Sequence, residues 1–142
     1  MDWVDSCVAI GNLVDANNVD LLRKENIDLI IDVRTAFDFD FSEMSYTLIC
    51  DRAKKITVLL VALSSLKAKV LVHCLEGIDR TPFIVMLYIA QKNSMTYEDA
   101  YELVKQKRPT TRFHWKWVEA YESFMRDSAR VLRADRELGI QR

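Results

Sequence analysis

Three short apolar runs, each bounded by polar residues, constrain the fold of this chain more than any other feature of its sequence. They are DLIIDV at residues 28–33, YTLIC at 46–50 and KVLVH at 69–73. Strands buried on both faces of a parallel sheet have this near-continuous apolar pattern. The segment CVAIGN at residues 7–12 adds a first short strand that ends at Gly11. We therefore expect a central, mostly parallel sheet of four to five strands.

Segments with helical periodicity alternate with these runs. In residues 53–66 the side chains of Ile56, Leu59, Leu60 and Leu63 recur at the i, i+3, i+4, i+7 spacing of an amphipathic helix. Further helices are predicted at residues 17–26, 81–93, 96–108 and 113–124. Strands that alternate with helices indicate an α/β fold, in which helices flank the sheet.

The length and composition of the chain fit one compact domain. The chain has 142 residues, half of them apolar, which is enough for one hydrophobic core. We assign residues 1–126 to a single domain and the charged residues 127–142 to a C-terminal extension. The three scattered cysteines, Cys7, Cys50 and Cys74, form no disulfide framework and favour a reducing, cytoplasmic location.

Charge and hydropathy argue against several classes of partner. The formal net charge is −1, and no basic tract predicts binding to nucleic acid or to an anionic membrane. The longest apolar run, residues 83–90, is too short to span a bilayer, and the first residues lack the pattern of a signal peptide. Two histidines and three cysteines without regular spacing predict no structural metal site.

Several residues that can carry chemistry are expected at one edge of the sheet. Arg34, Asp51 and Cys74 each directly follow a predicted strand. In parallel sheets, ligands bind beyond the carboxyl ends of the strands. We therefore expect these three side chains on the ligand-binding edge.

The stretch VLVHCLEGIDRT, residues 70–81, predicts an anion-binding loop around a nucleophilic thiolate. A thiol has a reference pKa of about 8.5, which a helix N-terminus and a nearby cation lower. Cys74 lies just before a predicted helix, and Arg80 can fold back towards it. Backbone N–H groups of consecutive loop residues can turn inward to form a nest for an anion. Those residues are Leu75, Glu76, Gly77, Ile78, Asp79 and Arg80.

Three residues of this loop have specific predicted roles. Gly77 permits backbone angles that other residues avoid. Arg80 offers a planar fork that matches two phosphate oxygens. Thr81 offers a hydroxyl to the sulfur of Cys74 when the thiolate must leave. The arrangement suits attack by sulfur on phosphorus to give a cysteinyl-phosphate that water hydrolyses, without metal or cofactor.

At these residues the chain resembles a known family. The run from His73 to Thr81 matches the HCxxGxxR[ST] signature of cysteine-dependent protein tyrosine phosphatases, especially of the dual-specificity branch. VAIGN, LLRKENIDLIIDV, AYELVKQKRP and WVEAYESF resemble further elements of that branch in the same order. The resemblance implies the dual-specificity phosphatase fold, with Cys74 as nucleophile and Arg80 as phosphate binder.

The resemblance also implies an aspartate upstream of the cysteine that protonates the leaving group. Asp51, directly after the run YTLIC, is the candidate for this general acid. Asp38 and Asp40 are the alternatives. A purely structural role is also open for Asp51, as the N-cap of the helix that follows it.

Other residues near the signature leave alternatives open. His73 is expected to hydrogen-bond nearby backbone and to help hold the thiolate form. Asp79 is expected to brace the loop through backbone N–H groups. Cys50 is read either as an inert core thiol or as the partner of Cys74 in a reversible disulfide.

Three functions are compatible with the sequence. The first is a phosphatase acting as a monomer on phosphotyrosine, and also on phosphoserine or phosphothreonine, in proteins. The second is a phosphatase for phosphoinositides or RNA 5′-phosphates. The two acids of the loop, Glu76 and Asp79, and its lack of lysine argue against a phosphoinositide, and the near-neutral net charge without a basic stripe argues against RNA. The third is a non-catalytic phosphate-binding module.

Overall fold

The computed structural model describes residues 1–34 and 46–139. The strands are β1 (Asp2–Trp3), β2 (Val8–Gly11), β3 (Leu29–Asp32) and β4 (Val70–His73). The helices are α1 (Leu13–Ala16), α2 (Val19–Lys24), α3 (Tyr46–Ser65), α4 (Arg80–Asn93), α5 (Tyr97–Lys107) and α6 (Trp115–Leu138).

The strands form one mixed sheet with the order β1-β2-β4-β3. The strands β2, β4 and β3 are parallel, whereas β1 is antiparallel to β2. Ile10 of β2 and Ile31 of β3 both pair with Val72 of the central strand β4. The predicted α/β class with a mostly parallel sheet is therefore confirmed, with four strands in the described part of the chain.

The core lies around the sheet and the helix α4. Every residue of β2 and β4 is buried, and so is every residue of α4 from Thr81 to Ala90. Burying one large apolar side chain contributes about 1.5–3 kcal/mol, so this helix is a main source of stability. None of the described helices combines the length and the apolar character that a membrane span requires.

The strand predicted at residues 46–50 is wrong, because this segment forms the first turns of α3. The buried side chains Ile49, Ala53 and Leu60 continue the helical spacing through it. Five consecutive apolar residues fit a buried helix as well as a buried strand. As a consequence Asp51 lies inside α3 and does not follow a strand at the edge of the sheet.

Three further elements differ from the sequence-based expectation. The helix α6 continues to Leu138, so most of the predicted extension is helical, and its Asp135 is buried. The short strand β1 and the helix α1 were not predicted. Asn12 and Asp15 cap α1 reciprocally, each side chain accepting a hydrogen bond from the other residue's backbone N–H.

Asp5 joins the segment before β2 to the central helix. Its Oδ1 accepts hydrogen bonds from the backbone N–H groups of Cys7 and Val8, both at 2.8 Å. Its Oδ2 accepts from the hydroxyl of Tyr88 at 2.6 Å and from Nζ of Lys92 at 3.0 Å. Burial opposes ionisation of Asp5, but these hydrogen bonds outweigh it and hold the pKa of the carboxyl below its ordinary value.

Candidate active site

Cys74 lies at the carboxyl edge of the sheet, directly after β4. The last residues of the three parallel strands pair in register, since Gly11 and Asp32 both lie opposite His73. The loop runs from Cys74 to Asp79, and α4 begins at Arg80. The strand pattern had placed the cysteine at this position.

The thiol of Cys74 is enclosed by its own loop. The residue is only 3 % exposed, and the backbone N–H of Gly77 donates to its sulfur at 3.2 Å. The N-terminus of α4 lies just beyond the loop and adds its positive partial charge.

Arg108 holds the loop from the side opposite the thiol, and the sequence analysis missed it. Its buried guanidinium donates from Nε to the carbonyl of Gly77 at 2.6 Å and from Nη2 to the carbonyl of Glu76 at 3.1 Å. Nη1 pairs with Asp2 at 2.7 Å. No local pattern predicts these contacts, because they join segments 31 and 106 residues apart.

Four consecutive carbonyls of the loop are held outward in this way. Besides the two bound by Arg108, the carbonyl of Leu75 accepts from the backbone N–H of Leu13 at 3.1 Å. The carbonyl of Ile78 accepts from the backbone N–H of Arg112 at 3.0 Å. In a trans peptide the C=O and the following N–H point in opposite directions. Each N–H group of residues 76–79 therefore points away from the partner of the preceding carbonyl, and that of Gly77 reaches the sulfur.

Only glycine fits at position 77. Its φ is +70°, in the left-handed region that favours glycine. A Cβ there would lie 2.5 Å from the carbonyl oxygen of Gly11 and 2.7 Å from Nη2 of Arg108. The loop thus packs its Gly77 backbone directly on β2 and on the guanidinium.

Asp79 braces the loop, but not as expected. The prediction that it accepts from backbone N–H groups is wrong, because it makes no capping bond to α4 and accepts instead from the side chains of Arg112 and His114. The Nε2 of His114 donates to Oδ1 at 2.7 Å. Burial opposes ionisation of Asp79, yet these two partners outweigh it and hold the pKa of the carboxyl below its ordinary value.

The signature residues Arg80 and Thr81 begin α4. The partly buried Arg80 makes no hydrogen bond or ion pair with another of the described residues. The hydroxyl of Thr81 is buried and has no hydrogen-bond partner among the described residues. The predicted bond from Thr81 to the sulfur is therefore not formed in this structure.

His73 and Asp32 shape the base of the loop. The Nδ1 of His73 donates to the carbonyl of Cys74 at 3.1 Å, in agreement with its predicted bond to nearby backbone. Its Nε2 lies 4.0 Å from Oδ2 of Asp32. Hydrogen bonds from Arg34 outweigh burial and hold the pKa of the Asp32 carboxyl below its ordinary value.

The predicted general acid lies elsewhere than expected. Asp51 is in α3, where its half-exposed side chain accepts from Nζ of Lys55 at 2.8 Å. The alternatives Asp38 and Asp40 lie outside the described residues. Within those residues, the newly found side-chain partners of the loop are Arg108, Arg112 and His114, and they come from the connection between α5 and α6.

Cys50 behaves as a core thiol. It is 2 % exposed, and burial raises its pKa to about 11. The three cysteines are all free. Its position inside α3 removes the reason for expecting it beside Cys74 at the edge of the sheet. In the described part of the chain, no three His, Cys, Asp or Glu side chains are grouped so that they could hold a metal ion.

A family model of the dual specificity phosphatase catalytic domain matches residues 8–124. The chain is 33 % identical over 113 residues to dual specificity protein phosphatase 1B of Arabidopsis thaliana. This match covers 70 % of this chain and 66 % of that protein. It is 25 % identical over 123 residues to protein-tyrosine-phosphatase IBR5 of the same organism, covering 81 % and 47 %. The chain thus spans about half to two thirds of the length of these relatives.

Solved structures share the fold. The crystal structure of DUSP15 matches with a TM-score of 0.75 at 23 % identity, over 99 % of this chain and 97 % of that chain. The human tyrosine phosphatase-like serine/threonine/tyrosine-interacting protein matches with a TM-score of 0.71 at 20 % identity, over 91 % and 97 %. At these identities the likeness establishes the architecture alone.

Proposed function

The chain belongs to the dual-specificity phosphatase family, and we propose that it hydrolyses phosphate monoesters of proteins through a cysteinyl-phosphate on Cys74. One observation carries the proposal: four successive loop carbonyls are bonded outward, and the backbone N–H of Gly77 within this run donates to the sulfur of Cys74. Such a preformed nest suits the oxygens of a phosphoryl group and requires no reorganisation during reaction.

The proposed chemistry takes place in two displacements. The thiolate of Cys74 attacks phosphorus, forming an S–P bond while the P–O bond to the leaving group breaks. The loop N–H groups and the guanidinium of Arg80 carry the charge on the transferred oxygens. Water then attacks the cysteinyl-phosphate, which releases inorganic phosphate and restores the thiolate.

The leaving oxygen needs a proton, and three aspartates upstream of the loop are the candidates. Asp51 is the first of them, although its carboxylate is hydrogen-bonded to Lys55 within α3. Asp38 and Asp40 are the others. Replacing the aspartate that donates this proton by asparagine should abolish the fall in kcat at high pH. It should also lower kcat most for substrates with poor leaving groups. Measuring Asp51→Asn, Asp38→Asn and Asp40→Asn side by side identifies it.

The charge distribution supports a phosphoprotein substrate. Basic side chains do reach the loop from elsewhere in the fold, which the loop sequence alone did not reveal. However, Arg108 is bound to Glu76, Gly77 and Asp2, and Arg112 is bound to Asp79. Both guanidinium groups are thus engaged by the protein. A phosphoinositide with several phosphates would have to displace these contacts.

A non-catalytic phosphate-binding module is the second candidate. The observation in its favour is that Asp51, the predicted proton donor, lies inside a helix and not at the edge of the sheet. A structural neighbour whose name calls it phosphatase-like has the same architecture. Against it stands Cys74, because binding alone needs no thiol with an N–H donor at its sulfur.

Hydrolysis of para-nitrophenyl phosphate in reducing, metal-free buffer tests the proposal. The intact protein should turn over, Cys74→Ser should lose at least about 10³-fold in kcat, and the core variant Cys50→Ser should stay within about twofold. Turnover that survives Cys74→Ser would refute the cysteinyl-phosphate. Phosphate binding without turnover in the intact protein would establish the binding module.

A further inference from the structure

The carboxylate of Asp79 occupies an unusual position for an anion-binding site. Asp79 directly precedes Arg80 and is the N-cap of α4, but its side chain makes no capping bond to that helix. It turns instead to Arg112 and His114 on the connection that leads into α6. A negative charge beside a nest of N–H groups repels an incoming anion unless cations compensate it.

The compensation of Asp79 depends on protonation. Arg112 is charged at all relevant pH values and cancels one negative charge. His114 donates to the same carboxylate oxygen, Oδ1, that accepts from Nε of Arg112. A neutral imidazole leaves the three side chains with no net charge, whereas an imidazolium leaves them with one positive charge next to the loop.

The surroundings of His114 hold its ring in place. The ring stacks on Trp117 of α6, with centroids 3.7 Å apart and planes within 9°. Among the described residues, Asp79 is hydrogen-bonded to the imidazole ring and Arg112 shares that carboxylate. The negative charge of Glu76 interacts with Arg112 in turn. Tyr101 of α5 stays neutral, because burial raises its pKa.

We propose that His114 is a positioning residue for the phosphate-binding loop: its protonated form, by holding the carboxylate of Asp79, strengthens anion binding at the loop. The inference rests on the proposed function for the identity of the anion. By reciprocity, an anion bound at the loop must favour the protonated form of His114 to the same extent. This reciprocal effect can be measured without turnover.

The test is an NMR titration of the histidine ring in the Cys74→Ser protein, with and without sulfate. Sulfate keeps a constant charge over the range, and the serine removes the thiol titration and turnover. The chain has two histidines, so the signal of His114 is assigned readily. Sulfate should raise the measured pKa of His114 by about half a unit, which corresponds to about threefold tighter sulfate binding to the protonated form.

The variant Asp79→Asn separates a brace from a distant charge effect. In Cys74→Ser with Asp79→Asn, the sulfate-induced shift should be clearly smaller, since the carboxylate that links the two sites is gone and only the charge of the ring itself still acts on the anion. An equal shift in that variant, or no shift in Cys74→Ser alone, would overturn the inference. Failure of sulfate to move the Gly77 amide signal at all would overturn the proposed function together with it.

Kinetics of the intact protein give an independent readout. His114→Gln should raise KM for para-nitrophenyl phosphate about threefold near pH 6 and leave kcat within about twofold. His114→Arg should restore KM and remove the part of its pH dependence that comes from position 114, because its charge is permanent. Lys116→Gln, at an exposed neighbouring position, is the matched control and should leave KM unchanged. Loss of kcat without a change in KM would contradict the positioning role.

Discussion

The Nε of Arg108 donates a 2.6 Å hydrogen bond to the carbonyl of Gly77 from outside the loop, opposite the sulfur of Cys74. The same guanidinium reaches Glu76 and Asp2, so one buried cation joins the loop to the first strand. The C=O and N–H of one trans peptide point in opposite directions, so the bond from Arg108 to the carbonyl of Glu76 helps to direct the N–H of Gly77 towards the sulfur of Cys74.

Removing Arg108 should impair the site without unfolding the protein at room temperature. In Arg108→Ala the carbonyls of Glu76 and Gly77 lose their partner. The N–H groups of Gly77 and Ile78, which belong to the same two peptides, then lose the contact that orients them. We expect kcat/KM for para-nitrophenyl phosphate to fall on the order of 10²-fold, as for other losses of alignment. The exposed neighbour Lys107→Ala is the control and should leave kcat/KM unchanged. Full activity of Arg108→Ala would show that the loop keeps its shape unaided.

Substitution of Gly77 by alanine should be far more damaging than the same change at Gly139. Both glycines have positive φ, +70° and +73°, so both variants carry a backbone penalty of about 1–2 kcal/mol. Only at Gly77 would the new Cβ also collide with Gly11 and Arg108, whereas at Gly139 none of the described residues lies within 4 Å.

Thermal unfolding and para-nitrophenyl phosphate hydrolysis measure the difference. Gly139→Ala should retain activity within about twofold, whereas Gly77→Ala should lose it almost completely and unfold at a lower temperature. Equal effects of the two variants would show that backbone strain, and not the contact with Gly11, governs the loop.

The cysteines should differ sharply in their reactivity. Burial raises the pKa of Cys50 to about 11, so at pH 8 only about one molecule in a thousand carries the thiolate there. Cys74 has an N–H donor at its sulfur and should react first with iodoacetate, an anionic reagent suited to the loop. Mass spectrometry of the labelled protein with and without phosphate gives the readout. Labelling of Cys50 before Cys74 would contradict the assignment of the nucleophile.

The hydroxyl of Thr81 allows stability and activity to be separated. It is buried without a hydrogen-bond partner among the described residues, and such a group costs about 1–3 kcal/mol. Thr81→Val keeps the shape and removes the hydroxyl, so the free energy of unfolding should rise by about 1 kcal/mol. The kcat should fall about tenfold if the hydroxyl assists the departing thiolate. Unchanged kcat would remove Thr81 from the catalytic residues.

Asp5 should make the free energy of unfolding depend on pH in the acidic range. Its folded pKa lies below the ordinary value of 3.8, so its stabilising contribution is present above pH 4 and is lost as pH falls through the lowered pKa. Asp5→Ala removes the acceptor of four hydrogen bonds and should lower the free energy of unfolding by about 3 kcal/mol.

Urea unfolding between about pH 7 and pH 2 checks this prediction. The intact protein should lose part of its stability at the acid end, and Asp5→Asn should lose less, because its amide does not titrate. The same pH dependence in both proteins would place the effect on another carboxyl group.

The sequence predicted those parts of the fold and site that depend on local patterns. The parallel strands β2, β3 and β4 were recognisable because both of their faces are apolar, and the loop because its residue types are contiguous. The run at residues 46–50 was misread as a strand because five apolar residues carry no decisive period. Extending the comparison to Ala53 and Leu60 would have revealed helical spacing.

The partners of the loop were beyond such reasoning. Arg108, Arg112 and His114 follow the loop by about thirty residues and reach it only because α5 turns back beside α4. A partial indication of these partners was present in the sequence, because an anion-binding loop that contains two acidic residues requires compensating cations from other segments. Which cations would arrive, and that they would bind backbone carbonyls as well as Asp79, is decided by tertiary packing.

The position of the loop between β4 and α4 has a further consequence. β4 is the central strand, and α4 is enclosed along ten successive residues, so amide hydrogens in both should exchange with solvent only when the whole domain opens. The loop thus connects the two elements whose amide hydrogens should exchange most slowly. The geometry of the anion-binding loop therefore depends on the packing of the core, because a change in the packing of β4 or α4 would alter the loop even where the loop's own residues are unchanged.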